Sequence, residues 1–295
     1  MSISIEKISE GERIFITHGV DLNLRNDGRT CDDFRMILIE QGVIETCSGS
    51  AHVRSGNTDV LVGIKLESET ASEDADNEIE GRIEVFADIS AIASPAFEGK
   101  KGEDITCQIE SLFSSFLVDY LDLKKLTIVP NKSYFVLHID IVILECSSLS
   151  SLIDITSIAI KTALTNLRIP KINILSANQN EFTVSEDEFD SIELDASKVP
   201  LITSYTKIGS KFVVDPTWEE EQASVGTIVV AFVPPDQTVL IKKIRHGSIG
   251  IDSLPILYEV SFFSAIKIQH KKFPLYLFFF WLASPEIWIR NVEKI

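Results

Sequence analysis

The amino-acid sequence predicts an α+β protein made of two pseudo-repeated βα halves. In each half, runs rich in β-branched residues come first and helical patterns follow, and an acidic stretch separates the halves. Because strands and helices do not alternate one by one, a doubly wound parallel sheet is not expected. The chain has 295 residues and is 45% hydrophobic, which is ample material for a core. The predicted regions are an N-terminal helix and turn (1–30), a first half (31–176), an acidic connector (177–195), a second half (196–270) and an apolar tail (271–295).

The N-terminal helix is predicted to run from Ser4, which can act as its N-cap, to Gly19, which suits the C′ position. In the first half, the segment 133–144 is apolar enough to be a central strand covered on both faces. The segment 103–120 carries apolar residues at intervals of three and four, which predicts a helix with one buried face. The other predicted elements of this half are strands at 35–40, 50–54, 60–66, 82–89 and 171–175 and a largely internal helix at 152–167.

The second half is predicted to contain two hairpins with a short helical turn between them, followed by a final helix from Ser253. The tail beyond it is strongly apolar, but Pro274, Pro285 and Glu286 interrupt it before it reaches the roughly 20 residues that a membrane-spanning helix needs. We therefore expect no membrane span; the tail either packs on this protein or on a partner, or is poorly ordered. The predicted strands of this half are 199–208, 211–214, 226–233 and 238–245, and the helical turn is 217–223.

The composition excludes some functions and leaves others open. A formal net charge of −17 argues against stand-alone, non-specific binding to nucleic acid, because phosphate contacts need Lys and Arg. RNA contact through a local basic patch or through basic partners remains compatible with this charge. The N-terminus lacks the pattern of a secretory signal. The cysteines and histidines are scattered without metal-ligand or redox spacing, so we expect reduced thiols and neither a metal nor a cofactor.

A basic cluster stands out in this acidic chain. Arg25 and Arg29 flank an Asn-Asp-Gly turn, and Arg35 comes directly before the first predicted strand. Such a cluster either orders the chain or meets a polyanion. We expect ion pairs with Asp27, Asp32 or a neighbouring subunit, and a secondary contact with RNA stays open.

The basic cluster begins an ordered series of motifs that resembles the RNase PH family. The similarity covers roughly residues 5 to 260, and the series is more specific than any one of its motifs. The combination of Val-Asp-Pro-Thr with three glutamates favours a ring subunit over the catalytic relatives. The motifs are RNDGR at 25–29, GSAHV at 49–53, GNTDV at 56–60, SPAFEG at 94–99, Asp140, Ala163-Leu164, Ile169-Pro170, VVDPT at 213–217 and the glutamates at 219–221.

The resemblance implies a fold like domain 2 of ribosomal protein S5, with two pseudo-repeated halves. It also implies a hetero-oligomer: six RNase PH-like subunits form the hexameric ring of the RNA exosome, cap proteins cover the ring, and RNA threads its pore. In eukaryotes this ring mostly lacks activity and delivers RNA to an associated hydrolytic nuclease. The implied role is RNA processing and degradation in the nucleus, nucleolus and cytoplasm.

Phosphorolysis requires a phosphate cradle, and the segment 145–151 lacks one. In catalytic relatives this turn is rich in Gly and carries Arg, whereas here it contains neither glycine nor a basic residue. Its serines could bind an anion, but helix capping by Ser150 or Ser151 is the commoner role.

The second catalytic requirement, a carboxylate, is only partly met. Asp215 falls where relatives carry a catalytic aspartate, although we favour an N-cap role with Pro216 at the first helical position. The glutamates at 219–221 could bind Mg²⁺ or simply belong to the first turn of a helix. The sequence therefore predicts a non-catalytic subunit with Asp215 as a vestigial site. The alternatives are an active phosphate-dependent 3′-to-5′ exoribonuclease and a stand-alone acidic protein unrelated to RNA.

For RNA contact, the resemblance points to Lys100 and Lys101, in the loop where ring subunits present basic residues to the pore. Lysines act there as point charges, unlike the bidentate arginines of relatives. A solvated loop tip is the competing interpretation, since Glu103 and Asp104 lie beside them. Arg25, Arg29 and Arg35 are weaker candidates for the same role.

Overall fold

A computed structural model describes residues 8–70, 81–90, 93, 97, 100–129, 132–174, 182–184, 191–233, 237–244, 247–250 and 253. Contacts divide the chain into two units, residues 1–249 and 250–295. Of the second unit only Gly250 and Ser253 are described, and the Ser253 amide donates to the Gly250 carbonyl at 3.0 Å. The predicted final helix and the apolar tail 271–295 lie outside the described residues. All further description concerns the first unit.

The N-terminal helix α1 begins later than the sequence predicts, at Glu10, and ends at Asp21. Ser9 is its N-cap: its side chain accepts from the Glu12 amide, and the Glu12 carboxylate accepts from the Ser9 amide. This capping box fixes the start of the helix, while Ser4 lies outside the described residues. Gly19 is inside the helix, where a Cβ atom would approach the Leu24 carbonyl to 2.8 Å.

The first half forms a six-stranded sheet in the order β1-β2-β3-β6-β4, with β5 also paired to β6. Strand β4 runs parallel to β6, and the other pairs are antiparallel. The predicted elements are confirmed, with boundaries moved by a few residues. The strands are β1 Ile37–Gln41, β2 Gly49–Ser55, β3 Thr58–Thr70, β4 Arg82–Ile89, β5 Thr127–Val129 and β6 Ser133–Glu145.

The strand β6 is central, as predicted, but the expectation that both its faces are covered is wrong. Its burial alternates along the strand: Ile139 and Ile141 are buried, whereas Asp140 and Leu144 are exposed. Alternation of this kind is typical of a sheet with one face in the core. We call the exposed side, which carries Asp140, the outer sheet face.

Two helices cover the inner face of this sheet. Helix α2, Lys100–Tyr120, contacts β4, and helix α3, Leu149–Thr165, contacts β2 and β3. Every residue of α3 from Ser150 to Leu164 is buried. The backbone of α3 comes so close to the sheet that a Cβ atom on Gly49 would lie 2.7 Å from the Ala163 carbonyl oxygen.

The region after α3 contains four short strands, which form two separate two-stranded sheets. One of them pairs a strand of the first half with a strand at the end of the acidic connector. Sequence analysis did not predict the strands within the connector, because three residues are too few for a periodic signal. These strands are β7 Arg168–Pro170, β8 Ile172–Ile174, β9 Phe182–Val184 and β10 Ser191–Glu193.

The second half forms a four-stranded antiparallel sheet in the order β12-β11-β13-β14, and the two predicted hairpins are confirmed. Helix α3 contacts β11, so it lies between the two sheets. Helix α1 packs on the second sheet through Ile16 and Val20, which join a buried cluster with Ile208 and Val213. The elements are β11 Leu201–Ile208, β12 Lys211–Val214, α4 Trp218–Ala223, β13 Gly226–Val233 and β14 Gln237–Lys243.

No helix among the described residues is long and apolar enough to cross a membrane.

Candidate functional site

The site lies where the end of β12 meets the start of the first half. After Val214 the chain turns sharply at Asp215, whose φ angle of 47° is uncommon for a residue other than glycine. Pro216 follows, and Thr217 begins α4. The turn directs the Asp215 side chain toward the arginines that precede β1.

The Asp215 carboxylate is held mainly by Arg35. Arg35 Nη2 donates to Oδ1 at 2.6 Å, while its Nε and its backbone amide donate to Oδ2 at 3.0 and 2.9 Å. Arg29 Nη1 adds a bond to Oδ2 at 3.2 Å. Burial alone would raise the pKa of Asp215, but the hydrogen bonds and charges of Arg35 and Arg29 outweigh it and hold that pKa below 3.8. Asp215 is therefore ionised at neutral pH.

Arg25 is fully enclosed and uses all its donors. Its Nε and Nη2 form a bidentate pair with Glu220 at 2.9 and 2.5 Å. The remaining N–H groups donate to the backbone carbonyls of Asp33, Val214 and Asp215 at 3.3, 3.0 and 2.9 Å. A planar guanidinium with five satisfied N–H groups is the kind of charge that a protein interior tolerates. Arg25 thus holds the β12–α4 turn in place.

Arg29 sits at the edge of the same cluster. Its Nε pairs with Asp27 at 2.6 Å, as the sequence predicts, and Nη1 donates to the Asp33 carbonyl at 3.0 Å. Asp32, the other predicted partner, is exposed and forms no ion pair within the described part of the chain. The three arginines thus meet, but the carboxylates of the second half, rather than Asp32, neutralise Arg25 and Arg35.

The N-terminus of α3 is the second component of the site. Ser148 is its N-cap and accepts from the Ser151 amide at 3.2 Å, so the prediction of Ser150 or Ser151 as the cap is wrong. The Glu221 carboxylate accepts from the amides of Leu149 and Ser150 at 3.2 and 3.3 Å and from the Ser150 hydroxyl at 2.8 Å. A carboxylate from α4 therefore occupies the positive end of α3.

The favoured N-cap role of Asp215 is also wrong. Thr217 caps α4: its side chain accepts from the Glu220 amide at 3.4 Å, and Glu220 accepts from the Thr217 amide at 2.9 Å. The Thr-x-x-Glu capping box was visible in the sequence. It frees Asp215 for the arginines, which no local pattern could reveal.

Two of the three glutamates at 219–221 have protein partners, whereas Glu219 is exposed. Glu220 binds Arg25 and Glu221 binds the end of α3, which sequence analysis missed because the partners are far away in the chain. Within the described residues, no group of three or more His, Cys, Asp or Glu side chains is placed to hold a metal ion. The geometry does not support the Mg²⁺ interpretation of these glutamates.

Asp154 lies deeper, between α3 and β11. It accepts from the Ser204 amide at 2.6 Å, and its other oxygen lies 2.9 Å from the Ser204 hydroxyl. That hydroxyl is also 3.1 Å from the Ser150 carbonyl. Because a hydroxyl has one proton, both contacts are satisfied when Asp154 is neutral and donates. Burial, and to a lesser degree the charge of Asp215, raises the pKa of Asp154 well above 3.8.

The predicted RNA-contacting lysines do not lie in a loop. Lys100 and Lys101 are the first two residues of α2, and the side chain of Lys100 is exposed. Nothing is described of the Lys101 side chain. Lys100 takes no part in the described contacts around Asp215.

Two family models match the chain. The model described as 3′ exoribonuclease family, domain 1, matches residues 33–170, and the model for domain 2 of that family matches residues 198–252. The gap between the two matches contains the acidic connector.

Curated relatives and solved structures extend the similarity to most of the chain. A Dictyostelium discoideum protein whose name describes it as the exosome complex exonuclease RRP42 is 32% identical to this chain, over 85% of this chain and 90% of its own length. The exosome complex component Rrp42 of Pyrococcus furiosus is 30% identical to this chain, over 83% of this chain and 86% of its own length. A chain in a solved structure of the Archaeoglobus fulgidus exosome with RNA bound to the active site has a TM-score of 0.73 and 25% sequence identity to this chain. The match covers 89% of this chain and 98% of the other.

Removing the charge of Asp215 tests the junction. We expect Asp215→Asn to lower the free energy of unfolding at pH 7 by roughly 2–4 kcal/mol, because Arg35 and Arg29 lose a buried counter-ion. Since the pKa of Asp215 is lowered, its contribution is complete above 3.8 and is lost as pH falls through the lower native value. The difference in unfolding free energy between variant and wild type should therefore be smaller at acidic pH, and urea unfolding at pH 7 and pH 3 measures this difference.

The control is Asp27→Asn, at the exposed edge of the cluster, which should lower the free energy of unfolding by less than about 1 kcal/mol.

The neutral state of Asp154 leads to an opposite pH dependence. A carboxyl whose pKa is raised stabilises the fold fully below 3.8 and loses that contribution as pH rises toward the native value. Asp154→Asn keeps one donor and one acceptor toward Ser204, so we expect the variant to exceed the wild type in unfolding free energy at pH 8 by at least about 1 kcal/mol. The exposed control Asp140→Asn should change little. Equal pH profiles for wild type and Asp154→Asn would contradict a neutral Asp154.

Proposed function

Because this chain belongs to the RNase PH family of 3′ exoribonucleases, we propose that it is a non-catalytic subunit of an exosome ring. It supports 3′-to-5′ RNA processing and degradation, including rRNA maturation and mRNA turnover, by forming part of the RNA-threading channel. Its partners are other RNase PH-like ring subunits and cap proteins, in a hetero-oligomer that works in the nucleus, nucleolus and cytoplasm. The relatives named for the exosome complex support membership of its ring.

The observation that carries the non-catalytic assignment is the position of Glu221. Its carboxylate accepts hydrogen bonds from the first two backbone amides of α3. Free amides at a helix N-terminus are what a phosphate ion requires, and a fixed carboxylate both uses them and repels the ion. The adjoining segment 145–151 supplies no Lys or Arg to offset that repulsion.

The environment of Asp215 supports the same assignment. A general acid must hold a proton near neutral pH, and the lowered pKa of Asp215 keeps it ionised. Its oxygens accept hydrogen bonds from Arg35 and Arg29, and the residue is 2% exposed. Asp215 therefore acts as a structural counter-ion for these arginines.

RNA contact is assigned to Lys100 and Lys101. Arg29 and Arg35 remain weaker candidates because their side chains keep some exposed surface, although both bind Asp215. Arg25 is removed from this set, since its side chain is completely buried against Glu220.

A phosphorolysis assay distinguishes the scaffold from the active exoribonuclease. The purified chain, alone and assembled with RNase PH-like partners that carry no active site of their own, is incubated with 3′-tailed RNA with and without inorganic phosphate. We expect no nucleoside diphosphate above background, because the amides of α3 are occupied. An active RNase PH-type ring serves as the positive control. Phosphate-dependent release of nucleoside diphosphates would overturn the non-catalytic assignment.

Assembly is tested separately by size-exclusion chromatography of the chain with the other exosome ring subunits. Co-elution in a complex of ring size is the expected result. A chain that stays monomeric while its partners assemble without it would contradict the ring role.

The lysine pair is tested in the assembled ring. Lys100→Ala/Lys101→Ala should weaken binding of single-stranded RNA several-fold, and the slope of log affinity against log salt should fall by about 1, because up to two phosphate contacts are lost. The control Lys124→Ala/Lys125→Ala removes an adjacent pair of exposed lysines from the short 3₁₀ helix Leu123–Leu126. Filter binding at several salt concentrations measures both. Equal affinities and slopes for the two variants would exclude the assigned contact.

A further inference from the structure

The outer sheet face is a continuous surface across the first sheet. Register places Phe86 beside Asp140 and Glu84 beside His138, so these alternate positions of β4 and β6 point to the same side. The helices of the first half lie on the opposite side, where Val85 and Ile141 are buried. The face includes Leu38 of β1, Glu84, Phe86 and Asp88 of β4, and Asp140 and Leu144 of β6.

Large apolar side chains on this face are exposed to solvent. Leu38 is 58% exposed, Phe86 49% and Leu144 42%. Phe86 stacks on the His138 ring with centroids 6.1 Å apart. Leu38 lies apart on the edge strand β1, but Phe86 and Leu144 are exposed on the same face of the paired strands β4 and β6, as apolar residues of a protein-binding surface are.

Carboxylates outnumber basic side chains on this face, whose exposed cations among the described residues are Arg54 beside Leu38, Lys65 beside His138, and Arg82. Glu84 is held by Arg82 at 2.7 Å and lies 3.5 Å from His138. Asp140, directly beside Phe86, is exposed and forms no ion pair with any residue that the structure describes. Asp88, two residues after Phe86, is exposed as well. The face therefore presents negative charge around its apolar positions.

We propose that the outer sheet face is the docking surface for a neighbouring protein subunit that presents Lys and Arg around an apolar centre. This inference rests on the proposed ring function, and it adds which surface is used and the chemistry of its partner. Electrostatic complementarity selects the partner: Asp140 and Asp88 attract a basic surface and repel the phosphates of RNA. The −17 net charge of the chain favours association with partners of opposite sign.

Charge reversal on the face tests the proposal. Asp88→Lys/Asp140→Lys should raise the dissociation constant for ring assembly at least tenfold, because like charges then meet across the interface. Phe86→Ala should weaken assembly independently of charge. The matched control, Asp104→Lys/Asp119→Lys, makes the same change at two exposed positions of α2. Circular dichroism and thermal unfolding confirm that each variant is folded, and assembly with RNase PH-like ring subunits is measured by analytical ultracentrifugation.

The outcomes separate this proposal from the proposed function. Loss of assembly in the face variants but not in the α2 control supports the docking surface. If the wild type assembles and the face variants assemble equally well, the docking surface is wrong and the ring function stands. If the wild type does not assemble, the ring function fails and the docking surface fails with it. Binding of RNA by the wild type that Phe86→Ala removes would also overturn the assignment of a protein partner; the lysine variants cannot report this, because added lysines attract phosphate.

Discussion

Arg35 in the first half and Asp215 in the second lie 180 residues apart in the chain and neutralise each other. Neither half could bury its own charged group without the other. The same region contains a second such pair, Arg25 with Glu220. The pairs are bidentate, which fixes direction as well as distance. Asp215 lies in the β12–α4 turn, Glu220 lies in α4, and the arginines lie in the segment before β1. The two halves therefore have one relative position that satisfies all four groups.

This constraint also explains the state of the α3 N-terminus. The ion pair between Arg25 and Glu220 fixes the position of α4. The next residue of that helix, Glu221, then lies within hydrogen-bond distance of the first amides of α3. An acidic side chain at a helix N-terminus stabilises the helix through its dipole. The arrangement that stabilises the junction thus uses the donors that an anion ligand would need, so stability and phosphate binding compete for the same groups.

Sequence patterns predicted the elements better than the contacts between them. The bounds of β4, β12 and β13 agree with the predicted segments 82–89, 211–214 and 226–233, since periodic and β-branched patterns are local. The predicted start of α1 is too early because any serine can act as an N-cap, and Ser4 comes first in the chain. Only Ser9 is followed three residues later by a glutamate, which completes the capping box. The role of Asp215 and the neutrality of Asp154 depend on residues 50 to 180 positions away. No local pattern carries that information.

The burial of α3 on all sides has a consequence for how the protein folds. Its residues contact β2 and β3 on one side and β11 on the other, so each sheet completes its core with the same helix. A chain cut between the halves would leave one apolar side of that helix in water, at about 25 cal/mol for each Å² exposed. The halves resemble two domains in sequence, yet they share one core and should lose structure together in a single cooperative transition.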